Sequence, residues 1–117
     1  MPCGFLARLA GFSQGAIVAL DDALNAEGTV TGVVLISGFV MAVEAWANKL
    51  RTKHTGLKVL QLHGLQDNII PFYTAAWLRD LLKTNGAKAI FIPHSAGHEF
   101  GPAHVFSSLL SFLTGLV

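Results

Sequence analysis

Strand-like and helix-like segments alternate along almost the whole chain, and this alternation limits the fold more than any other feature. Residues 32–37 (GVVLIS), 57–63 (LKVLQLH) and 88–92 (KAIFI) are short apolar runs bounded by Gly, Pro or polar residues, the pattern of buried strands. Residues 6–12 make a weaker strand, diluted by Ala7, Arg8 and Ala10. Helical periodicity fills the intervals. It covers residues 14–25, with Ala16, Ile17, Ala19, Leu20 and Leu24, and residues 42–52 around Trp46. It returns at residues 71–85 and at residues 101–115, where Val105, Leu109, Leu110 and Leu113 form an apolar face. Gly28 suits the stop of the first helix. Pro71 suits position N1 of the third, Asn85-Gly86 its stop, and Pro93 the end of the last strand.

The order βαβαβαβα predicts an α/β fold: about four parallel strands in sequential order, joined by right-handed helical crossovers. Their C-terminal ends then share one rim, where open α/β sheets build their sites. A length of 117 residues bounds this to a single domain over residues 1–117.

Composition narrows the function classes. The chain is 52% hydrophobic and 13% charged, which excludes disorder and suits strands covered on both faces. A net charge of +1 without a Lys/Arg cluster offers nucleic acid no electrostatic grip. The apolar N-terminus is interrupted by Gly11, Ser13, Gln14 and Gly15 and has no basic region before it. Neither a membrane span nor a signal peptide is therefore expected. Position two is Pro2, so the myristoylation pattern fails. Cys3 is the single cysteine. It excludes an internal disulfide, fits a reducing compartment and reads as an unmodified thiol.

Three loops at the expected rim carry chemistry. Gly11-Phe12-Ser13-Gln14-Gly15 is a G-x-S-x-G between a strand and a helix. A sharp turn there exposes the serine hydroxyl in a strained backbone, and side chains at the flanking glycines would collide with neighbouring backbone. Asp67 lies just after the strand ending at His63. Its plain reading is a helix cap or dipole partner, at about even odds with a functional one. His98 opens the loop after the last strand. A solvated loop histidine is the plain reading there. Ser, Asp and His in that order, each after a different strand, is the chain order of α/β-hydrolases. Ser13 is then the nucleophile, His98 the base that takes and returns its proton, and Asp67 the acid that orients His98.

Together GFSQGA, LISGFV, LHGLQDNIIPF and GHEF resemble the phospholipase/carboxylesterase family, which includes acyl-protein thioesterases and lysophospholipases. The resemblance runs from about Gly11 to the C-terminus and implies a partial α/β-hydrolase fold. It implies hydrolysis of carboxylic esters or thioesters of small molecules or lipidated proteins, in the cytoplasm, with no cofactor and no metal. Carried over by residue, it puts Ser13, Asp67 and His98 on the family's triad. It puts Gln14 on the residue whose backbone N–H serves the oxyanion hole.

The sequence also departs from the family. Members are longer chains, and the first strands and the His-Gly loop that supplies the second oxyanion donor have no counterpart here. One lost donor costs ~10²–10³ in turnover. Ala16 replaces a usual second glycine. A strand that is central in the family becomes an edge open to self-association, and one sheet face is under-covered. Three alternatives follow: a catalytically impaired fragment or pseudoenzyme, a module that holds an acyl chain without cleaving it, and a dienelactone-hydrolase-like enzyme. A serine nucleophile instead of a cysteine opposes the last. Ser37, His63, His54, His94 and His104 read as structural, and Trp46, Trp77 and Phe72 as core aromatics by default.

Overall fold

Val33, Val34, Leu35, Val59, Leu60 and Leu62 are all buried, because the strands that carry them have a neighbour on each side and cover on each face. The computed structural model describes residues 6–26, 29–97 and 103–115. Cys3, Gly28 and His98 therefore lie outside the described residues. The elements run β1 (Leu6–Phe12), α1 (Gln14–Asn25), β2 (Thr29–Ile36), α2 (Val43–Lys53), β3 (Lys58–Gly64), α3 (Phe72–Thr84), β4 (Lys88–His94) and α4 (Ala103–Gly115). All pairings are parallel and the sheet order is β1-β2-β3-β4. Both the alternation and the sequential order agree with the sequence expectation, and the weak first strand is a full partner of β2.

Several boundaries differ by one to three residues, and three of the differences have a clear cause. β2 begins at Thr29, three residues before the predicted run, because ladder bonds to β1 carry it through Gly32. Pro71 is the N-cap of α3 with ψ 142°, so the helix starts at Phe72. β4 continues through Pro93 to His94. Proline lacks the ladder N–H, and an edge strand tolerates that loss.

The faces are unequally covered. Helices α1, α2 and α3 share one face, where Leu20, Leu24, Leu35, Trp46, Leu50, Val59, Leu78 and Leu82 form the main core. Trp46 reaches it with its ring and donates its indole N–H to Asp21 Oδ1 at 3.0 Å. Among the described residues the other face carries only α4, whose Leu109, Phe112 and Leu113 pack on Val34, Ile36, Leu60 and Leu62. Leu110, read from periodicity as part of that apolar face, is 49% exposed instead. Ile90 on β4 is 53% exposed, beside a cleft of about 430 Å³ between α4 and the sheet. The central strands are nevertheless buried on this face too, with Val34, Ile36, Leu60 and Leu62 all under 5% exposed.

Candidate active site

Parallel pairing puts the C-terminal ends of all four strands on one rim. There the ladder is extended by the first residue beyond three of the strands. Ser13 N–H bonds Ile36 O at 2.7 Å, Ser37 N–H bonds Leu62 O at 2.8 Å, and Leu65 N–H bonds His94 O at 2.7 Å. Each post-strand residue is thereby pinned to the end of the next strand.

Ser13 is the junction of β1 and α1, with φ 58° and ψ −118°. A side chain at positive φ costs about 1–3 kcal/mol, which the surrounding packing must hold in place. Ser13 occupies the N-cap position, but its side chain makes no capping hydrogen bond to α1. A Cβ at Gly11 would sit 2.0 Å from Gly15 O, so only glycine fits under the turn. The second glycine of the motif is different: no described atom lies within 4 Å of a Cβ at Gly15. The expectation that both glycines avoid a clash holds for Gly11 alone. Ala16 packs toward Gly38, where a Cβ would approach the Ala16 methyl to 2.9 Å. The methyl that replaces the family's second glycine is thus accommodated because residue 38 has no side chain. Gln14 opens α1, in the turn whose amides have no carbonyl behind them in the helix.

Asp67 lies in the loop between β3 and α3 and is 7% exposed. Its Oδ1 accepts the backbone N–H groups of Ile69 at 2.9 Å and Ile70 at 2.7 Å. It does not cap α3, whose N-cap is Pro71; its carboxylate closes the loop on itself, an Asx-type turn. Its Oδ2 lies 3.4 Å from Nε2 of His63. His63 is fully buried at the end of β3, and its Nε2–H donates to Ile70 O at 2.7 Å. Sequence reading treated His63 as a satisfied strand-end residue and missed its closeness to Asp67. The signal was its spacing four residues before the acid, across a Gly-containing turn.

His98 lies outside the described residues, and residues 95–97 precede it. β1 and β4 are three strand spacings apart, ~14 Å. Gln66 N–H bonds Ala96 O at 3.1 Å, and a Cβ at Gly64 would meet Ala96 O and Gly97 O at 2.2 and 2.3 Å. Gly97 thus lies over the end of β3, beside the loop that holds Asp67.

The other candidates have structural partners or surface positions. His54 Nε2 is 3.0 Å from Leu24 O, and His94 Nδ1 accepts Ala96 N–H at 3.2 Å. Phe72 lies between His63, which it meets edge-on, and Phe91, to which it is tilted by 30°. Trp77 is not a core aromatic: it is 62% exposed and lines a cleft of about 410 Å³ with Val40, Val43 and Leu81. Ser37 shares the positive φ of Ser13, at 56°, a feature nothing in its local sequence announced. It is fully buried, and its Oγ has no hydrogen-bond partner among the described residues. No group of three metal-ligating side chains occurs among the described residues. No described helix is long and apolar enough to cross a membrane.

The sequence model described as Phospholipase/Carboxylesterase matches residues 8–115. No curated protein matches the chain significantly. Among solved structures the chain is similar to esterase PE8, at 24% identity and a TM-score of 0.82, over 94% of this chain and 50% of that one. It is similar to SOBER1 of Arabidopsis thaliana, at 21% identity and a TM-score of 0.81, over 93% and 52%. It is similar also to acyl-protein thioesterase 2 of Zea mays, at 22% identity and a TM-score of 0.77, over 99% and 58%. The chain thus spans about half the length of these structures.

Proposed function

This chain belongs to the phospholipase/carboxylesterase family, and on that premise we propose that it is a serine hydrolase of carboxylic esters or thioesters. The observation that carries the proposal is the turn at Ser13, strained at φ 58° over a glycine that no other residue could replace. It shares its rim with the buried Asp67. Ser13 Oγ attacks the acyl carbonyl while His98 takes its proton. The oxyanion sits against the N–H of Gln14, and His98 returns the proton to the departing alcohol or thiol. Water then cleaves the acyl-enzyme by the same route. Asp67 orients His98 through Oδ2, since Oδ1 is committed to its own loop. Substrates are acyl esters of small molecules or of lipidated proteins, met in the cytoplasm, and no cofactor takes part.

A fluorophosphonate probe tests this directly. It should label the folded chain at Ser13, and Ser13→Ala should abolish labelling. Absence of labelling in the folded wild type refutes present activity. A second reading is a fold that keeps the site without turnover; a folded chain that the probe leaves unlabelled would support it. β1 is an edge strand of the described sheet, and sedimentation would detect self-association through it.

A further inference from the structure

A carboxylate that orients an imidazole has to be held within about 0.5 Å. Asp67 is on a loop without regular secondary structure, the class of segment least able to hold a side chain still. The loop is nevertheless cinched. Ile70 is gripped through both of its backbone polar groups. Its N–H goes to Asp67 Oδ1 at 2.7 Å, and its C=O takes the Nε2–H of His63 at 2.7 Å. Asp67 N–H closes the turn onto Gly64 O at 3.2 Å. The same Nε2 stands 3.4 Å from Oδ2, the oxygen the loop amides leave over. His63 can act as this fixed post because it is the penultimate residue of β3 and is fully buried. Its ring also rests edge-on against Phe72, with centroids 6.0 Å apart.

We infer that His63 is a positioning residue: it transmits the rigidity of β3 to the loop of Asp67 and fixes the rotation of that carboxylate. This rests on the reading of Asp67 as the orienting acid. His63 touches no substrate, so its loss should act on the proton-transfer step and leave substrate binding alone.

The test compares three variants in the full chain, each checked for cooperative unfolding. His63→Phe keeps the ring and removes the donor. His63→Asn puts an amide near the Nδ1 position, too short to reach Ile70 O. His63→Gln puts one near the Nε2 position. His63→Phe and His63→Asn should lower kcat and the rate of fluorophosphonate labelling ~10²-fold, the usual cost of a misplaced group, with KM unchanged. His63→Gln should restore most of the rate. If either of the first two fails to fold, the other carries the test. A folded donor-less variant that labels at the wild-type rate overturns the inference. So does a loss confined to KM, or a His63→Gln no better than His63→Asn. If the wild type itself does not label, the hydrolase reading fails and hydrogen exchange decides the positioning role alone. Faster exchange at the amides of Ile69 and Ile70 in His63→Phe then supports the clamp, and unchanged exchange overturns it.

Discussion

Ser13 and Ser37 each follow the last residue of adjacent strands in the same sheet with nearly the same φ, 58° and 56°. Each gives its N–H to the end of the next strand. Their surroundings differ. Ser13 is partly exposed and leads at once into α1. Ser37 is fully buried and leads into a connection that packs Gly38 against Ala16. The comparison teaches that a positive φ at a strand end can recur in one sheet at residues with different surroundings. Strain by itself does not mark a nucleophile. Access to solvent and a helix that begins at the very next residue are what separate the two.

The largest contrast should be chemical. Ser13→Ala should eliminate fluorophosphonate labelling, and Ser37→Ala should leave it at the wild-type rate. Equal loss in both would mean that Ser37 belongs to the reacting groups and that the distinction drawn from burial is wrong.

Next in size is the steric contrast between the two glycines of the motif. Gly11→Ala drives a methyl into the Gly15 carbonyl and should cost on the order of 3 kcal/mol in denaturant unfolding. Gly15→Ala enters space clear of the described residues in the first turn of α1 and should stabilise by up to ~1 kcal/mol, the helical advantage of alanine. A comparable loss at both positions would restore the symmetrical view of the motif.

The smallest effect concerns Ser37 itself. A buried hydroxyl without a partner costs about 1 kcal/mol or more relative to an apolar group. Ser37→Ala should therefore raise the unfolding midpoint slightly. A drop of that size would show that the hydroxyl has a partner in solution, such as a bound water.

Much of this was legible in the chain itself. Runs such as GVVLIS and LKVLQLH read as strands because burial on both faces demands continuous apolar sequence. Order and length of the intervening helices left little choice but a parallel sheet in sequence order. G-x-S-x-G located the turn, since a Cβ at Gly11 is excluded by contact within five residues. Less legible were the features set by partners distant in sequence. Trp77 and Leu110 looked like core residues, because periodicity marks a helix face without saying what lies opposite. Taken alone, Asp67 reads equally as a helix cap or as a functional acid. Its carboxylate instead closes its own loop, where two amides and His63 outcompete a helix start already occupied by Pro71.

By itself, then, the sequence determined the element order, the parallel sheet and the turn at Ser13, because each follows from local sterics and from the periodicity of apolar residues. Tertiary structure alone decided which serine is reachable, which oxygen of Asp67 the loop consumes, and that His63 stands beside the acid. Those depend on strand register and on the docking of residues 95–97 against the end of β3, distances that no local pattern encodes.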